Sequence, residues 1–304
     1  MYPLQVVSLL CWVALAHGNN AIYVNTNTQN NKHVDEAITE WGSDWYYAIC
    51  SVMGTTAIGI MAASYMKPRS ERIFFYMCAA ICTTASIAYY AMGSNLGWTP
   101  IDNEWVRSIA GVNGRNREIF YVRYIDWFIT TPLLLLDLLL TAGLPWPSIL
   151  WTIFLDLVMI ITGLVGFYAV GCVAMIGIFY ELAIVARANA RRLGADVHRV
   201  FMICGVLTLF IWLLYPVSWG LCEGGNVITP NDEAIFYGCL DFIAKPVFSI
   251  ALIIGHWKIN PARLGLSIMS GEERAEQLLE KNDGPDGQTN GVQTNGGQHG
   301  NGDI

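Results

Sequence analysis

The sequence predicts an all-α fold, a seven-transmembrane helix bundle, and three observations lead there. Hydrophobic residues make up 54% of the 304 residues and charged ones only 13%, a balance that a water-soluble domain of this size would struggle to keep in solution. The apolar residues gather into seven runs, near 45–66, 73–95, 120–141, 148–170, 172–187, 199–221 and 233–257, and a spanning helix needs about 20 such residues. The segments between the runs alternate in charge. "KPRSER" after the first run and "ARANARRLGADVHR" between the fifth and sixth are basic, Lys258 and Arg263 follow the seventh, and the loops between them are acidic or mixed, as in "CEGGNVITPNDE". Since Lys and Arg collect on the cytoplasmic side, the N-terminus is expected outside and the C-terminus cytoplasmic.

Around this bundle, residues 45–258, lie two flanking pieces. Residues 1–44 form an N-terminal extracellular segment. Its start, "MYPLQVVSLLCWVALAHG", has the apolar run and the "ALA" site of a signal peptide over 1–16 but no positive charge ahead of them, so cleaved and retained forms both fit. Residues 20–44 are Asn-rich, without an Asn-x-Ser/Thr sequon. Residues 259–304 form a cytoplasmic tail. Within it "SGEERAEQLLEK" reads as a short helix opened by a capping box of Ser270 and Glu273, and the Gly/Asn/Gln-rich remainder buries too little apolar surface to order itself.

Composition also excludes functions. The formal charge is −7 with no basic stripe, which argues against nucleic-acid binding. The cysteines stand singly within apolar runs rather than as CxxC pairs, which suits core fillers and disfavours a metal site. A disulfide between Cys172 and Cys222 is compatible with the predicted topology but nothing local requires it.

The informative residues are the ionisable ones inside the runs, because a charge near the bilayer centre costs roughly 2.5–3.5 kcal/mol or more. In "RYIDWFITTPLLLLDLLL", Asp126 and Asp137 are eleven residues apart. At 100° per residue they return to within about 20° of one face and stand about 16 Å apart along the axis. Thr130 lies on that face between them, and Arg123 lies one turn outward from Asp126. Plain interhelix hydrogen bonding is one reading, although two aligned carboxylates with an arginine favour a pathway. In "LDFIAKPVF" of the seventh run, Asp241 and Lys245 share a face at i, i+4. They make either a buried salt bridge or an imine-forming lysine with two carboxylate counterions. Trp212, Tyr215 and Trp219 share a face of the sixth run, as plain core or as the wall of a slot for a flat apolar ligand, with Trp127 beside it. Pro132 and Pro216 interrupt their helices in a way that membrane bundles tolerate. Pro246 directly follows Lys245 and predicts a kink or bulge there.

These residues resemble the microbial (type 1) rhodopsins, the bacteriorhodopsin-like retinal proteins. "RYIDWFITTPLLLLD", "DLVMIITGLVG", "WLLYPVSW" and "LDFIAK" match that family's signatures in order, over about residues 45–258, and "RANARRLG" is similar to the fungal branch. The resemblance implies all-trans-retinal bound covalently to Lys245 as a Schiff base. It implies Asp126 as primary counterion and proton acceptor, Asp241 as second counterion, Asp137 as cytoplasmic proton donor and Arg123 as the cation on the exit side. Thr130 would bond Asp126, and Thr131 with Asp156 would link the third and fourth helices. Trp127, Met159, Gly163, Trp212, Tyr215 and Trp219 would line the chromophore pocket, and Glu233 and Glu223 would form the proton-release pair. The implied function is a light-driven outward proton pump, not an enzyme, in the plasma membrane, with retinal, protons and lipid as partners and a trimer as assembly. A photosensory receptor with a slow cycle is the alternative, and the carboxylate at Asp137 favours the pump. A retinal-free relative is disfavoured by Lys245. Sodium or chloride pumping is disfavoured by the set Asp126, Thr130 and Asp137.

Overall fold

The computed structural model describes residues 20–25, 28–29 and 32–266 of the chain. The expected signal peptide at 1–16, the Ser270–Glu273 capping box and the Gly/Asn/Gln tail lie outside the described residues. Within them are seven helices long and apolar enough to cross a membrane: α1 Glu40–Ser64, α2 Ile73–Gly93, α3 Tyr121–Thr141, α4 Trp146–Leu164, α5 Tyr168–Leu193, α6 Ala195–Leu221 and α7 Pro230–His256. Each packs on the next in sequence, and α7 closes the ring against α1, while α3 also meets α6 across the interior. This makes α3 the most enclosed span, and its buried set includes Arg123, Asp126, Thr130 and Asp137.

Helix ends follow local chemistry. Pro230 begins α7 behind a reciprocal cap in which Thr229 Oγ1 accepts from the Asp232 N–H and the Asp232 carboxylate accepts from the Thr229 N–H, so two orphan donors of the first turn are satisfied. Gly143, at φ +64°, ends α3; a side chain there would adopt a left-handed backbone and meet Leu193. Asn189 then donates to the Ala142 and Gly143 carbonyls at 2.6 and 3.0 Å, tying the end of α3 to α5.

Two spans differ most from the sequence expectation. α5 runs from Tyr168 to Leu193 rather than 172–187, so most of the basic stretch expected as a loop is helix, and Gly194 at φ +131° is the break before α6. Ala, Arg and Leu are strong helix formers, so helix outlasts hydropathy here. α4 stops at Leu164 rather than 170, where Gly166 takes φ +80°. Both α5 and α7 contain a π-helical stretch, Glu181–Ala186 and Ile243–Val247. The second holds Lys245 and Pro246: the extra residue in the turn accommodates the missing Pro246 donor, as the Lys-Pro pair predicts.

Between α2 and α3 the chain forms an antiparallel hairpin. With two-residue strands β1 Thr28–Gln29 and β2 Lys32–His33 ahead of it, its strands are β3 Thr99–Asp102 and β4 Asn116–Ile119. Residues 34–39 run alongside β4 as a strap: the Glu36 N–H donates to the Asn116 carbonyl and the Glu118 N–H to the Glu36 carbonyl. This covers one end of the bundle with buried backbone whose donors and acceptors are paired.

Candidate functional site

The centre of the bundle is the side chain of Lys245. Its Nζ lies 2.6 Å from Asp126 Oδ2 and 3.0 Å from Asp241 Oδ1, with all three residues at most 2% exposed. Asp241 and Lys245 form the i, i+4 ion pair of the first sequence reading, and the pair also takes in a carboxylate from α3. The two carboxylates are held differently. Asp241 has both oxygens engaged, Oδ1 by the Tyr215 hydroxyl at 2.5 Å and Oδ2 by the Tyr89 hydroxyl at 2.7 Å. Asp126 Oδ1 is buried without a hydrogen-bond partner. Thr130 does not bond that carboxyl: its hydroxyl donates to the Asp126 main-chain carbonyl at 2.8 Å, as a Thr in a helix can at i−4.

Beside Lys245 opens an apolar slot between α3, α4, α5, α6 and α7. Trp127, Thr131, Met159, Gly163, Trp212, Tyr215 and Trp219 all line it, and so does Lys245. Trp127 packs edge-on against Tyr215 and Tyr237, with ring centroids 5.3 Å apart in both pairs, so the slot wall is a rigid aromatic frame. Asp156, expected to link α4 to α3 through Thr131, does not line the slot. It sits one layer behind, where its Oδ2 is 2.7 Å from Thr131 Oγ1, because its position on α4 turns it toward α3 rather than the slot. An elongated apolar molecule with a carbonyl end fits this set. The walls are hydrocarbon and aromatic, an amine stands among them, and the nearby Asp126 Oδ1 and Trp127 Nε1 are buried polar atoms without protein partners.

Toward the hairpin, Arg123 is fully buried but makes no hydrogen bond to Asp126. Its Nη1 donates to Glu233 Oε1 at 2.6 Å and its Nη2 to the Tyr46 hydroxyl at 2.9 Å, with the Tyr237 ring 4.2 Å from the guanidinium carbon. Glu233 is gripped from its other side by Arg117, 2.7 Å from Oε2. Glu223 joins the same cluster: the Tyr124 and Tyr237 hydroxyls donate to it at 3.1 and 3.3 Å, and Arg123 Nη1 is 3.9 Å away.

Burial pushes the Glu223 carboxyl up to about 7 from its ordinary 4.5, and repulsion from Glu233 adds to the rise against the opposing pull of Arg123. A folded pKa above the unfolded one means that the native state holds the extra proton. The contribution of Glu223 to stability is therefore full below pH 4.5 and is lost as pH rises through about 7. Unfolding temperature is expected to fall across that window, and Glu223→Gln to flatten the decline; an unchanged slope in the variant would count against this account.

At the opposite end, Asp137 is fully buried, with the Cys78 thiol 3.6 Å from Oδ2 and no partner for Oδ1. Its main-chain carbonyl accepts from Thr141 at 2.6 Å, and Thr141 Oγ1 is 3.1 Å from His256 Nε2. Apolar packing that includes Leu134, Leu138, Phe248 and Leu252 occupies the same half of the bundle.

Sequence reasoning missed Tyr46, Tyr89, Arg117, Glu118, Asn226, Cys78 and His256. His256 carried a usable signal, since it follows Lys245 by the same eleven residues that separate Asp126 from Asp137. Arg117 and Glu118 carried none, because they lie in a hairpin with no helical period to place them. The disulfide left open by the sequence is not formed, and Cys172 and Cys222 are both free thiols.

Comparison with known proteins gives concordant results. Residues 39–259 match the family model described as bacteriorhodopsin-like protein. Opsin-like protein carO of Fusarium fujikuroi is 54% identical over 269 residues, covering 85% of this chain and 88% of its own. The light-driven proton pump rhodopsin CsR of Coccomyxa subellipsoidea superposes with a TM-score of 0.68 at 34% identity, over 73% of this chain and 99% of its own. The light-driven proton pump LR (Mac) of Leptosphaeria maculans gives a TM-score of 0.68 at 31% identity, over 75% and 98%.

Proposed function

Because this chain belongs to the bacteriorhodopsin-like family and is an integral, multi-pass membrane rhodopsin, we propose that it is a light-driven proton pump working outward across the plasma membrane. The observation that carries this reading is the pair of buried α3 carboxyls on either side of Lys245: Asp126 in contact with its amine and Asp137 in the apolar half beyond it. Solved structures similar to this chain include proton pumps, which supports the same reading. The basic residues Lys67, Arg69 and Arg72 after α1 and Arg191 and Arg192 at the end of α5 favour a cytoplasmic side at the Asp137 end.

Retinal, which Lys245 would hold within the slot, would supply light absorption and isomerisation, while the surrounding residues handle the proton at Nζ. The chain does the rest. Asp126 takes that proton, because its Oδ2 is 2.6 Å from Nζ and its Oδ1 has no competing donor. Asp241 stays as the fixed counter-charge, since two tyrosine hydroxyls and Nζ already engage it. Arg123, Glu233 and Glu223 pass the charge change to the outer end. Asp137 returns a proton to Nζ through the apolar half, where close packing keeps water from short-circuiting the path. Two like carboxyls thus serve opposite duties because their surroundings differ.

Illumination of cells or right-side-out vesicles containing the retinal-loaded protein is expected to acidify the outer medium, and an uncoupler to abolish the signal. A sensory rhodopsin would show a slow photocycle with no uncoupler-sensitive pH change, and that outcome would overturn the pump reading.

A further inference from the structure

The hairpin end of the bundle buries more acid than base. Glu36, Glu118 and Glu233 are 4%, 1% and 2% exposed and the Glu223 side chain 5%, while the cations among them are Arg117 and Arg123, both 0% exposed. Both guanidiniums are committed to Glu233. Arg117 Nη1 donates onward to Asn226 Oδ1 and the Ile228 carbonyl, each at 2.8 Å, and Arg123 Nη2 to Tyr46. Four carboxylates against two guanidiniums leave an excess of two negative charges out of water. Uncompensated buried charge is relieved by taking up protons, so the cluster must hold some.

The hydrogen bonds single out where. Glu36 Oε1 accepts from the Gly114 N–H at 2.7 Å and the Asn226 amide at 3.1 Å. Glu223 has two tyrosine donors and a distant arginine. Glu118 has the poorest anion site of the four: Oε2 accepts one bond, from the Ile38 N–H at 2.9 Å, and Oε1 reaches no partner. No cation lies within ion-pair distance of it among the described residues. The titratable groups facing it are Glu233 from α7 and Tyr46 from α1, while Glu36 of the strap pairs with it through the backbone and Arg117 precedes it on β4. Burial and the negative charge of Glu233 push its acid up to about 8 against the opposing Ile38 N–H.

We propose that Glu118, in the hairpin rather than on a helix, is a proton-storage site of the outer cluster, protonated at rest and exchanging its proton with the outer medium as the charge of Glu233 changes. The exchange balances simply: the O–H bond at Glu118 breaks when a proton arriving on the cluster relieves Glu233 of its charge, and the released proton passes to water outside the strap. Storage at rest stands apart from the pump reading, and the exchange under illumination rests on it.

The test uses the full retinal-loaded chain. In the dark, an infrared titration from about pH 6 to about pH 10 is expected to show a protonated-carboxyl carbonyl band that disappears with rising pH and is lost in Glu118→Gln, a replacement that keeps an acceptor for the Ile38 N–H. If the variant does not yield folded pigment, Glu118→Asp keeps the acid and must move the band and its midpoint. A band and midpoint unchanged in the variant measured would overturn the proposal. Under flashes, a pH dye outside the vesicle is expected to report delayed proton appearance in the variant, and an unchanged delay would remove the exchange step. Absence of light-driven acidification in the parent protein would instead defeat the pump reading and leave the dark titration to decide Glu118.

Discussion

Lys245→Ala is expected to abolish the visible absorption band formed on adding retinal to the folded protein, and with it any light-driven pH change. Lys245 contributes the amine to the slot lining, and imine formation requires a nucleophilic nitrogen within reach of the carbonyl end. The substitution also leaves Asp126 and Asp241 facing each other without the ammonium now 2.6 and 3.0 Å from them. Breaking a buried pair by removing one partner costs about 3–5 kcal/mol, so a fall in unfolding temperature is expected as well. Lys245→Arg separates the two effects, because a guanidinium keeps the cation yet forms no stable imine: it should restore much of the stability and none of the colour. Spectrophotometric titration with retinal reads the first effect and thermal unfolding the second. A visible band persisting in either variant would refute the assignment of Lys245.

Asp137→Asn has the second largest expected effect. A positioned acid or base contributes typically 10²–10⁴-fold to a proton transfer, so recovery of the resting pigment after a flash should slow by about two orders of magnitude or more. Steady transport should fall with it. The absorption maximum should hardly move, since Asp137 does not line the slot, and Asn conserves shape where the carboxyl touches Cys78. Flash photolysis at several pH values reads this directly. Recovery in the variant should track external pH, because protons then come from the medium rather than from a fixed internal group. Recovery as fast as in the parent would assign reprotonation to another residue.

The membrane architecture and the positions of the central ionisable residues are legible in the chain alone. Seven apolar runs fix seven spans, because lipid forces each segment to satisfy its own backbone. The eleven-residue spacing in α3 and the four-residue spacing in α7 place Asp126, Asp137, Asp241 and Lys245 by helical geometry alone. The Lys-Pro pair predicted a kink or bulge, which takes the form of a π turn. Packing settles everything that depends on which side chain from another element arrives at a given atom. The Thr130 hydroxyl goes to a backbone carbonyl, Arg123 turns to Glu233 and Tyr46, and Asp156 stands behind the slot wall. Arg117 and Glu118 enter the core from a hairpin that has no membrane period to reveal it. Periodicity within one helix is written in the chain, whereas the balance of buried charge among α1, α3, α7, the strap and the hairpin exists only after they pack, because it is a sum over partners distant in sequence.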